Sequence, residues 1–243
     1  MVSNGVGSQG AGLRRLETLA RHFCLHKPPP LPDVAAAFPK RAAVLVCLFE
    51  GDDGNLRVIL TKRASTLSSY SGEVSLPGGK VEEGDAGYVD TALRGRRGDW
   101  LGPFSSFDLE IRLEGSKFLS AAGICFPGDV QVVPVIGLLS NTKAFNPVPD
   151  TAEVEAIFDA PLEMFLKDEN RRAEEAEWQG EEFICNFFDF KSYNKNYVIW
   201  ALTAAILITV ASLVYQRPPA FPERRLKIWS KGAARRASMP KID

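Results

Sequence analysis

The chain has 243 residues, 45% of them hydrophobic and 10% aromatic, which supplies one large domain with tails and excludes a chain disordered throughout. Twenty-nine Lys and Arg stand against thirty Asp and Glu, leaving a net charge of −1. That balance gives no electrostatic footprint for nucleic acid or an acidic membrane surface, so an anionic ligand has to be gripped locally.

Residues 1–10 read as a disordered tail, with only a weak organelle-targeting character in the Gly- and Ser-containing start and Arg14, Arg15 and Arg21. Leu13, Leu16, Leu19, Ala20 and Phe23 recur at helical spacing, predicting an amphipathic helix over 12–25 that ends at the triple proline 28–30. His22 and His26 lie beside it and read as surface residues without chemistry. The runs 42–50 and 56–63 flank the turn Gly51–Asn55 and predict a β-hairpin. A third strand over 73–79 stops at Pro77-Gly78-Gly79, and Glu82, Glu83 and Asp85 follow where a helix could begin. The helix pattern of 86–97 is expected to end early, because Gly95 and Gly98 each cost a helix interior about 1 kcal/mol against alanine.

Between 98 and 131 no period is clear beyond an edge-strand pattern at 108–113, and low order is expected there. The run 130–140 is strand-like, its Pro134 suggesting an edge or a bulge. Residues 152–167 read as a strand or short helix, a proline, and then a helix capped by Asp159. The charged stretch 168–182 reads as a solvated helix or hairpin turn, and 183–190 as an aromatic strand. Tyr197–Tyr215 then runs nineteen residues without a charge, a length within the range of a membrane span. Thr203, Thr209, Ser212 and four alanines speak equally for a central helix in a large globular core. The four cysteines, Cys24, Cys47, Cys125 and Cys185, form no CxxC pair; this suggests neither a zinc site nor a disulfide framework and suits a reducing compartment, cytosolic or mitochondrial.

Strand, Pro-Gly-Gly turn, acidic loop and helix make a reasonable holder for a metal-bound diphosphate. Glycines admit a close backbone approach, carboxylates offer hard oxygen donors to Mg²⁺ or Mn²⁺, and arginine fixes a carboxylate or phosphate. Gly-Gly followed by acids is also an ordinary turn and helix start, and by itself the pattern leaves both readings open.

More specific is the set VILTKRASTLSSYSGEVSLPGGKVEEGD (58–85), TALR (91–94), PVIGLL (134–139), AEVEAIFDAPLEMFLKDENRRAEE (152–175) and VIWALTAAILITVASLVYQRPPAF (198–221). In that order these segments resemble the plant coenzyme A-type Nudix hydrolases over about 28–97 and 132–222. The resemblance implies an α/β fold, a Nudix α/β/α sandwich with a mixed sheet, occupying 28–222 between the N-terminal segment 1–27 and a basic tail at 223–243. It also implies hydrolysis of a diphosphate linkage in coenzyme A, its derivatives or related nucleoside diphosphate compounds with Mg²⁺ or Mn²⁺. It makes the apolar run a core helix rather than a membrane span, and it admits a homodimer. The partner expected is a small-molecule diphosphate, with neither nucleic acid nor membrane.

Carried over residue by residue, the resemblance makes Arg94 and Glu153 catalytic candidates, Lys62, Arg63 and Gly79 substrate-binding candidates, and Gly78, Asp99 and Glu153 metal candidates. Glu153 has an equally simple reading as a surface carboxylate before a core strand, and Lys62 and Arg63 as cations solvating a strand end. Tyr70 and Ser71 stand where the family often carries a His-Pro or similar pair, and Thr209 where it usually has a cation.

The departure lies after Arg94. The family continues Arg-Glu-x-x-Glu-Glu-x-Gly, with glutamates one helical turn apart facing the metals; here those glutamates fall on Gly95, Gly98 and Asp99, with Arg96 and Arg97 between. Back-translated and read one nucleotide later, Arg97–Ser106 permits Glu-Glu-Ile-Gly-Leu-Asp-Pro-Ser-Leu-Val, the family's continuation. A shifted reading frame over roughly 95–131, restored before Val132, is therefore expected. The alternative to an active hydrolase is a catalytically impaired Nudix domain that binds a nucleotide or a partner without turnover.

Overall fold

The computed structural model describes residues 40–101, 109–113, 124–126, 130–139, 145–178 and 181–224, with the single positions 18 and 142. Over 96–101, 109–113 and 124–126, and at 178 and 181, backbone alone is described. The expectations for 1–10, for the 12–25 helix, for His22 and His26, and for the tail beyond 224 lie outside these residues.

The apolar run before the Gly51–Asn55 turn forms β1 (Lys40–Glu50), and its hairpin partner is β2 (Leu56–Arg63), with Leu48 opposite Val58. The third strand is broken in two by Pro77: β3 (Val74–Ser75) pairs with β2, and β4 (Gly78–Lys80) pairs with β1. After the acidic loop comes α1 (Tyr88–Asp99), followed by the short β5 (Trp100–Leu101). The helix thus runs through both Gly95 and Gly98 instead of ending before them.

Within the stretch expected to be poorly ordered, β6 (Leu109–Leu113) and β7 (Ile124–Phe126) are strands that pair antiparallel with β8 (Val130–Leu139). The edge-strand pattern at 108–113 is realised as β6. β8, however, is interior, because β1 lies parallel to it from Lys40↔Val130 to Leu48↔Leu138. Pro134 is tolerated there because its other side faces the gap between β7, which reaches Val132, and β6, which begins its pairing at Ile136.

Beyond β9 (Val148–Pro149), β10 (Val154–Pro161) adds to the free side of β2. The helical turn that follows, Leu162–Leu166, is a 3₁₀ segment entered from Pro161 without a side-chain cap. Asp159 is not a cap: its carboxylate pairs with Arg57 across the sheet. The charged stretch is not a helix but part of a hairpin: most of it is the strand β11 (Arg171–Trp178), paired residue for residue with β12 (Glu181–Ser192), which pairs in turn with β13 (Lys195–Trp200). The run RRAEEAEW has no apolar face, which suits a strand with solvent on its faces as well as it suits a helix.

The uncharged run divides at Trp200. Its first residues belong to β13, and α2 (Ala201–Tyr215) takes the remaining fifteen, about 22 Å of helix against a hydrocarbon core of about 30 Å. Among the described residues no helix is long and apolar enough to cross a membrane. α2 ends on Gln216 in the left-handed region (φ 53°), whose neighbour Arg217 donates its N–H to the Ser212 carbonyl at 3.2 Å.

The mixed sheet runs β10-β2-β1-β8-β6, with helices on both faces, the α/β/α arrangement. Val46 and Leu48 of β1 pack with Leu60, Phe158, Phe165 and the α2 residues Ile206, Leu207, Ile208 and Val210. Ala43, Leu45 and Cys47 point the other way, toward Ala92 of α1, Ile59 and Val135. Burial on both faces explains why β1 and β8 are apolar over most of their length. Each fully buried aliphatic side chain contributes about 1.5–3 kcal/mol as an upper estimate, which is ample reason for α2 to sit in protein.

Candidate active site

The site is assembled where β4 meets α1. Gly78 and Gly79 lie opposite Val44 and Ala43 of β1. A Cβ on Gly78 would come within 2.3 Å of the Ala43 carbonyl oxygen and 2.7 Å of Val44 Cα, so only glycine lets this strand close on β1. On the helix side, a Cβ on Gly95 would stand 2.3 Å from the Gly78 carbonyl carbon, 2.6 Å from its oxygen and 2.7 Å from its Cα. Helix and strand therefore touch backbone to backbone at a Gly78–Gly95 seam. Gly79 is the neighbour of this seam, its Cβ position 3.8 Å from Gly95 Cα and 4.0 Å from Arg94 Nη1.

Arg94 is held from several sides. Its Nε donates to Asp85 Oδ1 at 2.9 Å, and Nη2 donates to Asp85 Oδ2 at 3.0 Å and to the Lys80 carbonyl at 2.6 Å. Nη1 faces Glu82 Oε1 at 2.9 Å. Asp85 also accepts from the Thr91 hydroxyl at 2.8 Å and the Glu82 N–H at 2.9 Å. The Arg94 guanidinium, followed by these two donors, holds the Asp85 carboxyl well below the usual carboxylate range, and Asp85 raises Arg94 in return. Asp85, whose side chain is only 7% exposed, is the organising acid of the loop. Sequence reading noted it in the acidic cluster without giving it a role; an acid on the loop entering a helix nine positions before an arginine was the available signal.

The other expected residues are spread along β2 and β10. Lys62 Nζ is committed to Glu155 Oε1 at 2.9 Å. Arg63 donates from Nη2 to the Ser69 carbonyl at 3.4 Å, while its Nε is buried with no hydrogen-bond partner among the described residues. Near it, the Glu73 carboxyl is pushed up by burial and pulled back by the Arg63 charge. Glu153 is exposed before β10, and its carbonyl accepts the Ala64 N–H at 2.8 Å. Tyr70 is exposed with φ 55°, and Ser71 closes the same loop through Oγ to the Ser65 carbonyl at 2.7 Å. Thr209 turns its hydroxyl back to the Ala205 carbonyl at 2.9 Å. Asp99 ends α1, and its side chain lies outside the described ones.

As donors for Mg²⁺ or Mn²⁺ these residues do not fit. Positions 95 and 98 carry no side chain, Asp85 and Glu82 face Arg94, and the Gly78 carbonyl is pressed against Gly95. Among the described residues no three of His, Cys, Asp and Glu come together as a metal-binding group. What remains is a glycine-lined strand, a loop strapped by an arginine, and a helix on an α/β/α sandwich.

That arrangement defines a Nudix-type domain. The NUDIX domain family model matches residues 39–95, from the start of β1 to the seam glycine of α1. The chain is 57% identical over 187 residues to Nudix hydrolase 15, mitochondrial, of Arabidopsis thaliana, covering 76% of this chain and 62% of that protein. It is 58% identical over 188 residues to Nudix hydrolase 22, chloroplastic, of the same plant, covering 77% and 59%. Against the peroxisomal coenzyme A diphosphatase NUDT7 of Mus musculus the identity is 29% over 173 residues, 69% of this chain and 68% of that one. Residues 39–95 thus match a NUDIX domain, the chain is similar to plant Nudix hydrolases over about three quarters of its length, and it spans about three fifths of the length of those two relatives.

Proposed function

We propose that this chain is a diphosphate hydrolase of the Nudix class by descent. Its ligand is coenzyme A, a derivative of it, or a related nucleoside diphosphate compound, and Mg²⁺ or Mn²⁺ is the cofactor this chemistry implies. The name of the mouse relative, a coenzyme A diphosphatase, supports the ligand class. The observation that carries the reading is the Pro-Gly-Gly strand and Arg94-anchored acidic loop on an α/β/α sandwich. On this reading Arg94 is a positioning residue that keeps the loop on the helix. Gly79 admits the ligand backbone to backbone, Arg63 offers a cation to a phosphate, and Glu153 is the acid available just before β10. Asp99 is the one carboxylate left at a box position.

A second reading concerns turnover, and it is favoured by Gly95 and Gly98 standing where the family places glutamates. The domain keeps its ligand and loses most of its rate. Incubation with coenzyme A and Mg²⁺ or Mn²⁺, followed by chromatography for phosphopantetheine and the adenosine nucleotide, tests both readings. The chain is expected to be at least about tenfold slower than a version with glutamate at 98 and 99, the two box positions away from the Gly78 contact, a barrier difference of about 1.4 kcal/mol or more. Equal rates would refute the impairment, and absence of both turnover and binding would refute the ligand class.

The domain is proposed to span 28–222 and to work in a reducing compartment, cytosol or mitochondrion. The names of the plant relatives point to two different organelles, and fractionation of the tagged protein decides. The expected homodimer is tested by light scattering.

A further inference from the structure

We propose that this chain holds no resident divalent cation at the Gly78–Gly95 seam and takes its diphosphate ligand without one. The inference rests on the ligand class given above, but its cation half stands on the geometry alone.

Two observations converge on it. First, the seam is closed. Any side chain at 95 begins with a Cβ that meets three backbone atoms of Gly78 between 2.3 and 2.7 Å, where ordinary carbon contacts lie near 3.5–4.0 Å. A cation-binding carboxylate there would have to push α1 off β4 by about 1 Å, against a core that resists such separation. Second, the acids that do lie beside the seam have another partner. Asp85 meets Arg94 in a bidentate pair and Glu82 meets the third guanidinium nitrogen, so a divalent ion would have to displace a charge-assisted network instead of entering a prepared cage. The glycine seam thus puts direct helix–strand packing where a metal site would stand.

The test uses the full chain stripped with chelator. Mn²⁺ is titrated and followed by electron paramagnetic resonance, and coenzyme A is titrated calorimetrically in EDTA and again in millimolar Mg²⁺. No saturable Mn²⁺ binding below the millimolar range is expected, and the coenzyme A dissociation constant should agree within about twofold between the two buffers, less than about 0.5 kcal/mol. One Mn²⁺ bound per chain at micromolar concentration would overturn the inference, as would a tenfold or greater tightening of coenzyme A by Mg²⁺. If coenzyme A binds in neither buffer, the ligand class falls, while the Mn²⁺ titration still decides the cation question by itself.

Discussion

Replacing Gly95 by alanine sets two known effects against each other. In an exposed helix interior alanine gains about 1 kcal/mol over glycine. Here the new Cβ falls 2.3 Å from the Gly78 carbonyl carbon and under 2.8 Å from its oxygen and Cα, all backbone atoms that cannot rotate away. Relief requires α1 to move outward by about 1 Å, which loosens Ala92 against Ala43, Leu45 and Cys47. Overpacking of this kind costs about 1–3 kcal/mol, and with three backbone atoms in the way the upper end applies. The net expectation is a loss of about 2 kcal/mol, a fall in Tm of about 4–8 °C for a domain of this size. Urea unfolding measures it as a lower midpoint with an unchanged slope. Gly87→Ala is the control, since nothing lies within 4 Å of a Cβ there and its φ is not positive, and it should match or slightly exceed the wild type. A Gly95→Ala protein as stable as the wild type would refute the closed seam and with it the steric part of the cation inference.

Four further outcomes are expected. Asp85→Asn should lower Tm at pH 7. Because the folded-state pKa of Asp85 is depressed, its contribution is complete above about pH 4 and fades as pH falls below that, so the wild type and variant melting curves should converge in acid. Glu73 shifts the other way: its carboxyl is raised by burial, so folding favours the protonated form, and Glu73→Gln should raise Tm modestly at pH 7 with the gain vanishing below about pH 4. Calorimetric titration of coenzyme A should show Arg63→Met weakening binding and Lys62→Met leaving it nearly unchanged, because Lys62 is already neutralised by Glu155; the reverse order would remove Arg63 from the ligand site. Sequencing the transcript between the codons for Leu93 and Val132 should recover a frame that encodes the glutamate-rich continuation, and an abundant, translated message in the present frame alone would refute the frame shift.

Much of the β framework was legible because short-range chemistry determines it. The Gly51–Asn55 turn between two apolar runs specifies the β1–β2 hairpin, and the Val-, Leu- and Ile-rich run over 130–139 specifies a strand, whose interior place between β1 and β6 Pro134 had concealed. The charged strand β11 was not legible, since RRAEEAEW has no apolar face and only pairing with β12 decides its form. The same holds at Trp200, where hydropathy continues unbroken while the backbone changes from strand to helix as Ala201 takes φ 51°. Asp159 looked like a cap by its position before a helical turn, and it became the partner of Arg57 because β10 docks beside β2.

For the candidate site, the amino-acid order alone determined the identity of the parts: Gly78, Gly79 and Arg94, and glycines at 95 and 98, where the family resemblance leads one to expect glutamates. Tertiary structure decided how they meet. It assigned Asp85 to Arg94, tied Lys62 to Glu155, and brought the missing side chain of Gly95 against the missing side chain of Gly78. A list of residues records that a carboxylate is absent; only the packing of a helix on a strand shows that no room is left for one, because the distance between two backbones is set by everything else in the sandwich.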